Sequence, residues 1–216
     1  MLRELIEAGS AIVRDDPVNL ARTAAGKRPA NAVWLWGQGK APKMPKLTER
    51  YGVSGGIISA LDLPRGLGLY CGLDAVKLPG ATGYVDTNYT GKVEAAIVEL
   101  KTKDLVYIHL EAADDASHQG DLQGKVKAIE LFDEQMLGPL LKELPKLGAY
   151  RILMACNHAT PVALRQHTTE PVPYVLFEGP GKKQTGDERG FNEVDAKATR
   201  VYLEDARKLM GRLLGK

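Results

Sequence analysis

No apolar stretch in this chain approaches the roughly 20 residues that a membrane-spanning helix needs. The longest runs, residues 105–110 and 171–177, are the size of strands. The N-terminus, MLRELIEAGSAIVRDD, lacks the continuous apolar core and small-residue cleavage site of a secretory signal, and reads as a short amphipathic helix. Cysteine is scarce. Cys71 and Cys156 are the two in the chain, and nothing resembles a secreted disulfide framework, which favours a reducing cytoplasm. An excess of one charge is also missing: the net charge is +2 with both signs mixed throughout, which gives no reason to expect nucleic acid or membrane as a partner. There is no internal repeat and no low-complexity tract.

What remains is ordinary for a soluble globular protein, with 44% apolar and 26% charged residues. At 216 residues the chain can build one substantial core, or one domain plus a segment of another. Residues 1–30 read as helical and then irregular, ending in RTAAGKRPAN. Residues 31–216 read as the main domain. Within it, residues 32–36 (AVWLW) predict a strand stopped by Gly37-Gln38-Gly39, with Trp34 and Trp36 packing in the core. Residues 54–66 predict a helix with Ser54 as N-cap. The stretch GATGYVDTNYTGK predicts a loop, in which Asn88 bonds its own turn.

Residues 93–100 predict a helix and residues 105–110 a buried strand. Val126, Ile129, Phe132, Met136, Leu137, Leu140, Leu141 and Leu144 then recur at helical spacing, with a kink expected at Gly138-Pro139. Residues 151–156 and 172–177 predict two further buried strands, and residues 194–214 a closing amphipathic helix. Alternating strands and helices imply an α/β fold: a three-layer αβα sandwich with a mostly parallel sheet. In such sheets the loops beyond the strand C-termini line the binding crevice.

Three of the four histidines fall beyond predicted strand ends. Asp114 and His118 lie four apart in EAADDASHQGD, so one helical turn brings a carboxylate oxygen and an imidazole nitrogen to one face, which suits a divalent metal. Taken alone, that cluster reads more readily as a solvated acidic loop with an incidental histidine. Asn157-His158 follows the strand RILMA, and His167 comes nine residues later in QHTTEPVP. Three histidines at such loops, one beside a carboxylate, point to a metal site. Cys156 is a core residue by strand alternation. Lys40, Lys43 and Lys46 flank the glycine-rich turn, where Lys40 could meet a phosphate or simply face solvent. Gly37-Gln38-Gly39-Lys40 is not a Walker loop. Arg165, between His158 and His167, could reach a phosphate or carboxylate, or cap a helix.

D-x-x-x-H, then an x-H-x-T-P segment, then H-T-x-x-P-V-P form an ordered pattern. It resembles the C-terminal metal signature of cofactor-independent phosphoglycerate mutases of the archaeal type, in the alkaline phosphatase superfamily. NAVWLWGQGKAPKMP, GGIISALDLPRGLG and GATGYVDTN are similar to the same branch, and the resemblance runs from about residue 15 to the C-terminus. It implies an alkaline phosphatase-like fold and two divalent ions (manganese, magnesium or zinc). Asp114, His118 and His167 would bind one ion, and Asn157 and His158 would face the second. The implied reaction interconverts 2-phosphoglycerate and 3-phosphoglycerate in glycolysis through a phosphorylated serine. The two ions would polarise phosphate oxygens, lower the serine pKa and clamp an in-line displacement.

Two departures stand out. Asn157 replaces the aspartate of the family pattern, and an uncharged amide competes poorly for a dication, so the second ion is expected to bind weakly. The serine nucleophile and first metal aspartate of the family lie in an Asp-Gly-rich segment that has no counterpart here, and the sequence opens in what resembles the tail of the family's inserted domain. The expectation is therefore an alkaline phosphatase-like domain lacking its N-terminal strand and nucleophile segment, with residues 1–30 a remnant of the insertion. Such a chain is a fragment of a longer enzyme or a natural truncated descendant, and an uncovered sheet edge favours self-association. The alternatives are a related metal-dependent phosphatase or phosphonate-processing enzyme, and a non-catalytic metal-binding remnant.

Overall fold

The computed structural model describes residues 1–181 and 189–216. It divides into two compact units, Met1–Lys43 and Met44–Lys216. The first unit thus ends beyond the boundary near residue 30 that composition suggests.

In the first unit, α1 spans Leu2–Arg14 and α2 spans Pro17–Ala24. Asp16 caps α2 by accepting from the Val18 amide at 2.8 Å, and Pro17 sits at the first turn, where its missing N–H costs nothing. Buried Asn19 pins the returning chain: its Nδ2 donates to Ala30 O at 2.8 Å and its Oδ1 accepts from Ala30 N at 2.9 Å. Residues 32–36 do not form the expected strand. They pair with no other strand among the described residues, and Trp34 and Trp36 are 75% and 81% exposed instead of packed in a core. β-branched and aromatic residues suit a pleated surface, but without a partner strand their backbone groups remain in solvent.

In the second unit, α3 (Leu47–Tyr51) leads to β1 (Gly55–Ile58), α4 (Asp62–Tyr70), β2 (Asp74–Ala75), α5 (Tyr89–Leu100) and β3 (Leu105–Ile108). These strands form a parallel sheet in the order β2-β1-β3, with Gly56 opposite Asp74 and Val106. The helix expected over 54–66 is thus a strand followed by a later helix. Gly55-Gly56 disfavours a helix, Ile57-Ile58 favours a strand, and every residue of β1 is buried. A Cβ on Gly55 would lie 2.8 Å from the Leu105 carbonyl, so the close approach of β1 to β3 requires glycine. Ser54 caps no helix; its amide and hydroxyl both donate to Asp104 Oδ2 at 2.8 Å, clamping the starts of β1 and β3.

The chain continues through α6 (Ala112–Gln119), α7 (Leu122–Phe132), a π-helical turn at Asp133–Leu137, α8 (Gly138–Glu143) and a 3₁₀ turn at Leu144–Leu147. The long helical periodicity holds across these pieces. The bend falls where the π turn meets Gly138-Pro139, since proline cannot donate into the preceding turn. Tyr89, Val93 and Met136 form the buried centre, with Ile97, Ile108, Leu110, Leu131, Phe132 and Leu140 around them. The apolar faces of α5 and the π turn therefore cover one face of the parallel sheet.

β4 (Tyr150–Ala155) and β5 (Tyr174–Gly179) pair antiparallel in a second sheet, with Leu153 opposite Leu176. They do not extend the parallel sheet, as their apolar runs suggested. A parallel return needs a crossover of a dozen or more residues, usually helical. Residues 156–173 contain Pro161, Pro171 and Pro173 and form no helix, so the chain doubles back. The α/β class and the parallel sheet stand; the sheet is shorter than expected. The closing helix over 194–214 is two helices, α9 (Glu193–Ala198) and α10 (Lys208–Leu214). Between them Thr199 Oγ1 accepts from Val201 N at 3.1 Å, a local turn that competes with the helix. No helix of the described residues is long and apolar enough to cross a membrane.

Candidate metal centre

α6 begins just past the C-terminal end of β3, and it carries Asp114 and His118 one turn apart on one face. Its start is held by Glu111, whose carbonyl accepts from the Asp114 amide at 2.8 Å and the Asp115 amide at 3.1 Å. Its end is Gly120, at φ 76°, where a Cβ would come within 2.5 Å of Arg165 Nε. Only glycine satisfies both the left-handed turn and the guanidinium packed over it. The β4–β5 link supplies the other side of the site. The Ala159–Thr168 bridge closes that link, and His158, Thr160 and His167 sit at its neck.

The donor atoms converge. His118 Nε2 lies 3.2 Å from Asp114 Oδ2 and 3.0 Å from His167 Nε2. His167 Nε2 lies 3.5 Å from Asp114 Oδ1. Asp114, His118 and His167 each offer one ligand atom, all within 4.8 Å of one another. His158 stacks on His167 with ring centroids 3.6 Å apart, and its Nδ1 is 3.9 Å from Asp114 Oδ1. The Thr160 hydroxyl bridges the group, donating to Asp114 Oδ1 at 2.5 Å and meeting His158 Nδ1 at 3.1 Å.

The hydrogen bonds around this group decide which atoms are free. His118 Nδ1 faces the Arg165 carbonyl at 2.9 Å, and a carbonyl only accepts, so that nitrogen carries the proton and Nε2 presents a lone pair. Arg165 makes this contact from a left-handed backbone at φ 55°, uncommon for a residue with a side chain. His118 Nε2, His167 Nε2 and the Asp114 carboxylate thus converge, and either a proton or a cation must lie between them. Donors about 2.1 Å from a central ion stand roughly 3.0 Å apart across an octahedral edge and roughly 3.4 Å across a tetrahedral one. The separations of 3.0, 3.2 and 3.5 Å fit that spacing, and one carboxylate with two imidazoles is a donor set for a divalent metal.

The remaining sequence-predicted residues fall differently. Asn157 is exposed, and its Oδ1 accepts from the His158 amide at 3.1 Å, so the side chain is turned onto its own loop. Cys156 is exposed, not a core residue, because β4 ends before it. Lys40 belongs to the first unit, whereas the cluster belongs to the second. The four serines are engaged outside the cluster: Ser10 with Ile6 O, Ser54 with Asp104, Ser59 with Leu61 and His109, and Ser117 with Ala113 O.

A buried polar layer under the site was not anticipated from sequence. Lys92, only 1% exposed, donates to the His109 carbonyl at 3.2 Å. The His109 ring bridges Ser59 Oγ and Glu111 Oε2, each at 3.3 Å. Burial pulls the Lys92 ammonium down from 10.5 to about 8. Burial also lowers His109, reinforced by the Lys92 charge, and raises Glu111, reinforced by Asp114. The signal for Lys92 was its place beside Val93 on the apolar face of α5; for Thr160 it was the H-x-T-P spacing.

Residues 6–203 match a family model described as the Metalloenzyme superfamily. The chain is 46% identical over 213 residues to a Geobacter sulfurreducens protein named probable 2,3-bisphosphoglycerate-independent phosphoglycerate mutase, covering 99% of this chain and 53% of that protein. It is 46% identical over 211 residues to a Methanosarcina acetivorans protein named 2,3-bisphosphoglycerate-independent phosphoglycerate mutase, covering 97% and 53%. The chain therefore spans about half the length of these curated relatives. A solved structure of a Pyrococcus horikoshii protein superposes with a TM-score of 0.73 at 29% identity, covering 91% of this chain and 51% of that one.

Proposed function

Since the chain belongs to the Metalloenzyme superfamily, we propose that it provides the metal centre of a cofactor-independent phosphoglycerate mutase, which interconverts 2-phosphoglycerate and 3-phosphoglycerate. Asp114, His118 and His167 hold one divalent cation, manganese, magnesium or zinc. The observation that carries the reading is the convergence of their acceptor atoms at 3.0–3.5 Å, with His118 fixed as an Nδ1–H tautomer. The names of the curated relatives supply the substrate class.

A bound dication would polarise a phosphate oxygen and shield the charge that builds up during phosphoryl transfer. The protein's own groups prepare the site. Thr160 donates to Asp114 Oδ1 and leaves Oδ2 toward His118. The Arg165 carbonyl orients His118, and stacking of His158 on His167 sets the second imidazole plane. Arg165 is the candidate substrate cation of this neighbourhood. His158 faces a second ion. That site is weak, because Asn157 brings no charge and its oxygen is already engaged by the His158 amide. A glycolytic role places the protein in the cytoplasm.

The engaged Asn157 oxygen and the four engaged serines favour one alternative: a site that binds a single ion without turning substrate over. Two measurements separate the readings. Calorimetric titration of manganese into the metal-free chain is expected to give one tight ion, lost in His118→Ala and in His167→Ala. A coupled assay from 3-phosphoglycerate with manganese is expected to give no turnover for the chain as it stands, and Asn157→Asp is expected to add a second ion. Absence of the tight ion removes the reading altogether. Robust turnover by the unaltered chain overturns the weak second site.

A further inference from the structure

At the C-terminal ends of β1 and β2 lies a cavity of about 320 Å³ lined by Ser59, Arg65, Val76, Lys77, Leu78 and Pro79 among others. Open α/β sheets bind ligands at this edge, where parallel strands end and their loops diverge. The cavity wall mixes apolar side chains with two cations. Lys77 has no hydrogen bond or ion pair among the described residues. Arg65 Nε is buried and has no partner. The carboxylate that approaches Arg65, Asp62 Oδ1, is 3.4 Å from Nη1, and its side chain is fully exposed. A guanidinium carries five donors in a planar fork, more than the one contact to Asp62 uses.

Ser59 ties this cavity to the metal centre. Its Oγ accepts from the Leu61 amide at 3.1 Å, which fixes the turn between β1 and α4, and it touches His109 Nδ1 at 3.3 Å. The other His109 nitrogen meets Glu111, whose carbonyl holds the first turn of α6 and hence Asp114. Contacts from Ser59 through the His109 ring to the Glu111 side chain thus link the cavity wall to the residue that starts α6.

We propose that Arg65 and Lys77 form an oxyanion subsite, which takes the carboxylate or the phosphate of a small organic acid ester. The Arg65 guanidinium donates to the anion through its Nη groups, and Lys77 adds a point charge at the mouth. The apolar wall of Val76, Leu78 and Pro79 lowers the local dielectric, which strengthens both contacts. The identity of the ligand rests on the phosphoglycerate reading above; the anion chemistry of the pocket does not.

The test uses the full ¹⁵N-labelled chain in chelator, so that no metal contributes. Inorganic phosphate and glycerate are titrated separately and amide shifts are followed; the two arms distinguish phosphate from carboxylate recognition. The expected result is saturable shifts at Ala60, Arg65, Lys77 and Ala81 with at least one of the two anions. Affinity should fall about tenfold or more in Arg65→Gln/Lys77→Gln. It should be unchanged in Lys127→Gln, a surface lysine of α7. Lys77→Gln alone, at an exposed position, serves as the milder variant if the Arg65 change disturbs α4. No shift at these amides with either anion, or equal affinity in the double variant and the parent, overturns the subsite. Manganese titration of the same samples keeps the two ideas apart: tight manganese without anion binding sinks only the subsite, and anion binding without manganese sinks only the metal centre.

Discussion

The two sheets of the second unit treat the metal centre differently. The parallel sheet is the buried one: every residue of β1 is inside, and α5 packs its apolar face over the sheet. The antiparallel pair β4–β5 is only partly buried and has no hydrogen bond to the parallel sheet among the described residues. Asp114 and His118 come from a helix that directly follows the buried sheet. His158, Thr160 and His167 come from the link of the exposed pair. One half of the site is thus set by the core, and the other by a loop held at a few points. Those points are the Ala159–Thr168 bridge, the His118–Arg165 contact, and Lys125 Nζ donating to Thr160 O at 2.8 Å. A cation held as proposed would join the two halves.

Removing the shared carboxylate should break that comparison most severely. Asp114→Ala is expected to abolish tight manganese binding in calorimetry, a loss of about 3 kcal/mol or more, because Asp114 contacts both histidines and Thr160. Binding within threefold of the parent would show that the two halves do not meet at this residue.

Lys92 tests the buried half alone. Its ammonium is held at about 8 in the fold against 10.5 as the ordinary value. Between those pH values the unfolded chain binds a proton that the folded one has released, so stability rises with pH across that window. Below pH 8 the cost of burying the charge is present in full. Relative to Lys92→Met, the parent should gain about 3 kcal/mol between pH 8 and 10.5, read from urea unfolding. A flat difference would mean that Lys92 is not buried as a cation.

Thr160→Val keeps the shape and removes one donor to Asp114. Manganese affinity should fall about tenfold, with thermal stability in chelator little changed. An unchanged affinity would remove the hydroxyl from the account. The smallest effect is also the most local. Manganese should slow hydrogen exchange at Asn157, His158 and Thr168 in the link while leaving the β1 amides as they were, since only the exposed half gains order. Equal protection of both sheets would erase the contrast.

Much of this was legible from residue order, because helical spacing and strand-sized runs report local structure directly. D-x-x-x-H put Asp114 and His118 on one face of a helix, and the structure brings their donor atoms to His167. Asn88 bonds its own loop as expected, its Nδ2 donating to Pro79 O at 3.1 Å, and it also caps α5 by accepting from the Gly91 amide at 2.8 Å, which the sequence did not suggest. The failures lie where tertiary partners decide. Gly55-Gly56 looked like a helix start because sequence does not display Leu105, which needs the glycine surface of β1. Residues 32–36 have strand composition without a strand to pair with. The direction of β5 depends on a link that cannot carry a crossover helix, and its three prolines were the available clue. Residue order assigned Lys92 and His109 no role, because burial of a charge is decided by what packs around it.

The most direct test of the shared cation is a crystal of the full chain grown with manganese and measured for anomalous scattering. The strongest peak should sit among Asp114, His118 Nε2 and His167 Nε2, with the β4–β5 link closed over it. A peak elsewhere, while these three side chains point apart under saturating manganese, would contradict the account.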